Sequence, residues 1–256
     1  MSEVVIRGVG LHTGAAATVR FHPSEGPVRF WLGGVAFRPL ASRVVETTRS
    51  TVLAEQEARL MTVEHLLAAL YIRGVWQGLL IEVEGPEVPI LDGSAQEWLA
   101  ALEGLVPQGP PPQPLPGSLR VAEGKSSVLA QPAAQFSLTV SIFFPHPKIG
   151  YQQVQCPPTP LKALAPARTF GFLHEVEALR AQGLIQGASL ENALVYSREG
   201  FVNTPRMLQE PVWHKALDFL GDLYLAGRPY LGQFMVHRGS HRLHVELAKL
   251  LQDPTW

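Results

Sequence analysis

Short runs of alternating apolar residues open the chain at 4–6, 17–21 and 28–32 and predict β-strands. The pattern then changes period. Val63, Leu66, Leu67, Leu70 and Tyr71 recur at helical spacing and predict a helix over 62–73. His65 falls opposite that stripe, beside Ala68, Ala69 and Ile72, and a face so free of charge is expected to be covered. Residues 78–83 read as a buried strand. Ser94-Ala-Gln-Glu97 reads as a capping box opening a helix to about 105. Beyond a proline-rich stretch the theme returns. Strands are expected over 119–129, 136–144, 190–196 and 232–237. Helices are expected over 173–182, stopped by Gly183, over 212–225, and from a Ser240 cap to 251.

The stretch 107–117 carries six prolines and two glycines and can join neither helix nor central strand, so it reads as a semi-rigid linker. It divides the chain into an N-terminal part, 1–106, and a C-terminal part, 118–256. The two have similar size and element content, an α+β pattern that predicts a duplicated architecture.

Composition narrows the field. Of 256 residues, 46% are hydrophobic, enough for a sizeable core. The net charge of −1 lacks the basic excess of a nucleic-acid binder, so no nucleic-acid partner is expected. Cys156 is the only cysteine, which excludes an intrachain disulfide and fits a reducing compartment. No export signal or membrane-spanning run is visible, so the expected location is the cytoplasm.

The helix over 212–225 sets His214, Asp218 and Asp222 in one row, each one turn from the next, within a strongly apolar segment. Such side chains are costly to bury without partners, and a histidine and a carboxylate one turn apart can close on one metal ion. Thr62-Val-Glu-His65 offers another imidazole and an adjacent free carboxylate. His65, His214 and Asp218 satisfy the three-ligand count of a catalytic zinc, with Glu64 as base on its water. Spacing alone leaves open that each is an ordinary hydrogen-bonded core or surface residue. The His-Glu-x-x-His signature of zinc peptidases is absent.

Six blocks in order carry a more specific resemblance: Gly8-Val-Gly-Leu-His-Thr-Gly14, Thr62-Val-Glu-His-Leu66, Pro89-Ile-Leu-Asp-Gly-Ser94, Ala167-Arg-Thr-Phe-Gly171, the run from Glu210 to Tyr224, and Gly239-Ser-His-Arg-Leu243. With them the chain resembles the UDP-3-O-acyl-N-acetylglucosamine deacetylases, zinc amidases of lipid A biosynthesis. The resemblance implies two similar α+β domains, each a sheet with packed helices, facing each other in a two-layer sandwich with the active site between them. It implies Zn2+, with Fe2+ as the other ion suited to such ligands, on His65, His214 and Asp218. Glu64 would be the general base, His241 the protonated donor to the leaving amine, Asp222 its orienting carboxylate, and Thr169 a hydroxyl for the oxyanion.

For the substrate, a UDP-sugar bearing an acyl chain, the resemblance implies Lys215 and Arg238 near the diphosphate and His12 near the sugar. Phe144 would be a uracil-stacking ring. An insert at about 183–195 would enclose the acyl chain with Leu184, Ala193, Val195 and Phe170. The chain would act as a monomer, close to a membrane without crossing it. A non-catalytic UDP-sugar-binding protein on the same fold is the competing reading. Trp213 stands where many members have Arg, and Ser240 and Ala188 stand where Gly is usual. These departures touch the diphosphate pocket and the acyl passage.

Overall fold

The computed structural model describes residues 4–106 and 108–252. The first half is built from β1 (Val4–Val9), β2 (Ala16–Pro27), β3 (Arg29–Leu32), β4 (Val35–Phe37), β5 (Val44–Glu46), β6 (Val52–Glu55), β7 (Ala58–Leu60), α1 (Glu64–Arg73), β8 (Gln77–Glu84) and α2 (Gln96–Ala101). After β9 (Gln113–Pro114) come β10 (Leu119–Glu123), β11 (Ser126–Gln131), β12 (Ser137–Phe144), β13 (Gly150–Cys156), β14 (Phe170–Phe172), α3 (Val176–Ala181), β15 (Leu194–Tyr196), α4 (Glu210–Tyr224), β16 (Tyr230–Leu231), β17 (Gln233–His237) and α5 (His241–Gln252).

The protein is α+β, and its two five-stranded sheets share one wiring. Their strand orders are β1-β2-β8-β3-β4 and β10-β11-β17-β12-β13. In each, the first two strands form an antiparallel pair. A late strand then enters the centre, antiparallel to the second and parallel to the third. The centre of the first sheet alternates cleanly, with Leu79, Ile81 and Val83 of β8 buried.

Two helices meet across the halves. Every residue of α1 from Glu64 to Leu70 is buried, and α1 packs against α4, which in turn packs on α5 and on β12 and β13. The predicted cover over the His65 face is therefore α4. Gly221 makes the approach possible: a Cβ there would lie 2.0 Å from the carbonyl oxygen of Glu64. α1 ends at Gly74, whose left-handed φ of 72° closes the helix.

Several expectations need correction. Ser94 does not cap a helix from position 95. Its hydroxyl donates to Asp92 Oδ1 (2.8 Å) and accepts from the Gln96 amide (3.1 Å), and α2 starts later and ends earlier than predicted. The run 119–129 is interrupted by a turn at Gly124, so it contributes to two paired strands. Only Leu194–Tyr196 of the run 190–196 forms a strand. The helix predicted over 173–182 begins as a 3-10 turn and is helical only over Val176–Ala181, although Gly183 does stop it in the left-handed region. β13, whose polar alternation gave little apolar signal, was not anticipated. The proline-rich stretch is fastened to both halves. The Gln108 carbonyl accepts from Trp76 and Gln77, and Gln113–Pro114 pairs in parallel with Tyr230–Leu231.

Candidate metal centre and active site

The α1–α4 contact brings His65, His214 and Asp218 together. Asp218 Oδ1 lies 3.2 Å from His214 Nε2 and 3.7 Å from His65 Nε2, and the two rings stand edge to face with centroids 5.0 Å apart. His214 Nδ1 lies 3.1 Å from the Ala167 carbonyl, which accepts its proton and leaves the Nε2 lone pair turned inward. Burial, reinforced by the neighbouring His214, pushes His65 down to about 3. Burial likewise lowers His214. Both rings are thus neutral at physiological pH, the form that ligates. Burial alone would raise Asp218, but the charge of Lys215 beside it helps hold it well below the usual carboxylate range. Its Oδ2 accepts from Lys215 Nζ at 2.8 Å, while Oδ1 is buried without a hydrogen-bond partner.

A bare buried carboxylate oxygen facing two imidazole nitrogens is a poor arrangement for hydrogen bonding and a good one for a cation. Four-coordinate zinc, with bonds of about 2.0–2.1 Å, sets its ligand atoms roughly 3.3–3.5 Å apart. The residues therefore fit a divalent ion of that kind.

Beside this cluster lie two buried titratable groups, Glu64 and His241. Glu64 Oε2 accepts the Thr51 amide at 3.0 Å, and its Oε1 stands 3.9 Å from His241 Nε2. Burial, with repulsion from Asp222 and Asp218, raises Glu64 to about 7 against the pull of His241. Burial works to lower His241, but the charge and hydrogen bond of Asp222 prevail and raise it to about 9. The bond joins His241 Nδ1 to Asp222 Oδ2 at 2.8 Å. His241 is the first residue of α5, where the helix dipole disfavours a cation, so this carboxylate is what keeps the ring protonated. The Thr51 hydroxyl donates to Asp222 Oδ1 at 2.6 Å, and His244 Nδ1 meets Oδ2 at 2.9 Å.

A cavity of about 680 Å³ opens beside His241. His12, Thr169, Phe170, Ala193, Val195, Lys215 and His241 line it. Thr169 is clamped in place: its amide donates to the Gly93 carbonyl (2.7 Å) and its carbonyl accepts from Leu194 (2.8 Å). The loop bearing His12 is held by buried Glu87, whose oxygens accept the His12 amide at 3.0 and 3.1 Å and the Thr62 hydroxyl at 2.6 Å. The insert returns to the same loop, with the amides of Gln186 and Gly187 donating to the carbonyls of His12 and Leu11.

Three further expected positions have the following surroundings. Phe144 lines the cavity but packs edge-on against Phe170 (5.4 Å) and near Phe172 (5.9 Å), within the apolar cluster. Leu184 is half-buried and is not part of the cavity lining. Arg238 also stands outside it, with its guanidinium 5.6 Å from the Phe143 ring centroid. Sequence reasoning missed Thr51, Glu87 and His244. The only signal for His244 was its place one turn after His241.

The fold and the cluster together define a candidate metal-dependent hydrolytic centre in an α+β protein. Comparison narrows this class. Residues 1–253 match the family model described as UDP-3-O-acyl N-acetylglycosamine deacetylase. A protein of Thermosynechococcus vestitus named UDP-3-O-acyl-N-acetylglucosamine deacetylase is 44% identical, over 95% of this chain and 90% of its own length. Proteins of the same name are 39% identical in Brucella melitensis biotype 2 (98% of this chain, 94% of the relative) and 35% in Helicobacter hepaticus (98% and 89%). The chain belongs to the UDP-3-O-acyl-N-acetylglucosamine deacetylase family.

Proposed function

We propose that this chain hydrolyses the 2-acetamido group of UDP-3-O-acyl-N-acetylglucosamine, releasing acetate and a free amine, as a zinc-dependent step of lipid A biosynthesis. One observation carries the metal assignment: Asp218 Oδ1 is bare and buried between His65 Nε2 and His214 Nε2. Zn2+ held by these three residues would supply a water ionised near neutral pH and a Lewis acid for the amide oxygen. Fe2+ suits the same donors.

The chain's own groups supply the rest. Glu64, fixed by the Thr51 amide, accepts the proton of the attacking water. Thr169 on the cavity wall offers its hydroxyl to the developing oxyanion. His241, charged through Asp222, passes a proton to the leaving nitrogen, without which the amine is a poor leaving group.

Lys215 and His12 border the sugar and phosphate end. The apolar wall made by Phe170, Ala193 and Val195 receives the acyl chain. We assign Phe144 to this acyl wall instead of to uracil, because its ring lies within the same aromatic cluster. Arg238 follows β17 at the edge of the site and remains our choice for the outer phosphate. We place the enzyme in the cytoplasm as a monomer, taking an acylated substrate at the membrane face; among the described residues no helix is long and apolar enough to cross.

Metal analysis of the purified protein, paired with mass spectrometry of the UDP-sugar incubated with it, tests the reading. About one zinc or iron per chain is expected, with loss of the acetyl mass that stops on chelation and returns on zinc addition. Full turnover after metal stripping, or tight binding of the UDP-sugar with no mass change, would overturn it.

A further inference from the structure

α5 opens with two histidines aimed at α4. His241 and His244 stand three residues apart on one face of the helix. Both set Nδ1 against the same atom, Asp222 Oδ2, at 2.8 and 2.9 Å. The other oxygen, Oδ1, takes the Thr51 hydroxyl. Asp222 is held ionised by these donors against the effect of burial. An ionised carboxylate only accepts, so each ring carries a proton on Nδ1.

The two rings differ at their far ends. His241 Nε2 faces Glu64, and its residue lines the cavity. His244 Nε2 is buried with no hydrogen-bond partner. It lies against the backbone of Gly239, where a Cβ would sit 2.4 Å from that nitrogen and 2.4 Å from Val236 Cγ1. The ring stands edge-on to Phe219 at 5.2 Å. A second proton on His244 would be a buried N–H with no acceptor, a state that costs several kcal/mol in an apolar setting. Burial accordingly lowers its pKa. Of two imidazoles sharing one carboxylate, only His241 can take up a proton and face the cavity with it.

We propose that His244 is a positioning residue: its neutral ring donates Nδ1–H to Asp222 Oδ2 and, with Thr51, clamps the carboxylate that orients His241. This rests on reading His241 as the proton donor of the reaction. A carboxylate with a donor on each oxygen cannot swing, so His241 meets its acceptor in one place. Gly239 belongs to the same device. It keeps the backbone close enough to wall His244 off from the cavity that Gly239 itself lines.

The test compares His244→Met, which fills the space without a donor, with His244→Asn, whose amide N–H can stand near the former Nδ1. Both are measured as the metal-loaded protein. In the Met variant kcat is expected to fall about tenfold or more with KM within about twofold, and the Asn variant recovers most of the loss. Nitrogen NMR of the rings should show His244 protonated on Nδ1 and bare on Nε2 over about pH 6–9. The downfield Nδ1–H resonance of His241 should move or broaden in the Met variant and return in the Asn variant. An Nε2-protonated His244, or Met and Asn variants that behave alike, overturns the proposal. The NMR arm needs no turnover. A wild-type protein that fails to deacetylate would sink the proposed function while the ring resonances still decide the role of His244.

Discussion

Thr51 ties Asp222 to Glu64: its hydroxyl donates to Asp222 Oδ1 at 2.6 Å and its amide donates to Glu64 Oε2 at 3.0 Å. One fully buried residue thereby sets the Asp222 and Glu64 carboxylates in register. Replacing Thr51 by Val keeps the amide and removes the hydroxyl, leaving one oxygen of a buried carboxylate short of a donor. The expected cost is about 1–3 kcal/mol of folding stability. Urea denaturation measures it, and a midpoint unchanged from wild type would contradict the clamp.

The acid/base pair predicts a bell-shaped profile of kcat/KM. Glu64 must be ionised to accept a proton, so activity rises as pH climbs through its pKa. That value is about 7 with no metal ion beside it, and a bound divalent ion draws it lower. His241 must be protonated to donate, so activity falls as pH climbs through a pKa near 9. Asp222→Asn removes the charge that raises His241 and should move the alkaline limb to lower pH. A limb that stays in place would separate it from His241.

Gly221→Ala tests the helix contact that builds the centre. The new Cβ would meet the Glu64 carbonyl at 2.0 Å, where only backbone movement gives relief. Overpacking of this kind costs about 1–3 kcal/mol or more. Because α1 carries both Glu64 and His65, metal content per folded chain should fall as well. Metal analysis alongside thermal melting reads both effects, and a variant that melts and loads like wild type would show that the helices have slack.

Ala193→Phe tests the cavity wall. The ring would project into the apolar space beside Phe170 and Val195. For a substrate with a long 3-O-acyl chain KM should rise about tenfold or more, while a short-chain analogue is little affected. Equal effects on both substrates would place the acyl chain elsewhere.

The two helices that build the candidate site were readable because their patterns are extreme. α4 combines an apolar run with a row of ionisable residues, and such a row on a helix that proves nearly all buried has few structural explanations. The face of α1 bearing His65 announced a neighbour, though not which one, since helix pairing is settled by tertiary packing. Local polar geometry was harder to read. At Ser94 the hydroxyl donates to Asp92 and accepts the Gln96 amide, a local turn ahead of α2 that residue types alone do not distinguish from a capping box. Thr51 and Glu87 were invisible because each acts through partners far along the chain. His244 was hidden for another reason: a histidine on an amphipathic helix looks ordinary until its far nitrogen is found sealed beneath Gly239. The surroundings of Phe144 were not legible either, because a ring at the end of a strand gives no hint of which aromatic neighbours fold onto it.

The union of α1 with α4 would also make capture of the proposed ion a witness to assembly. His65 travels on one helix and its two companions on the other, so neither helix alone offers the full set of donors. A newly made chain would acquire a tight grip on its cation only once the halves have docked, and the ion, once seated, would resist their parting. Starving refolding protein of zinc should then slow or loosen the docking step itself, and late addition of the ion should read out how many chains had already closed.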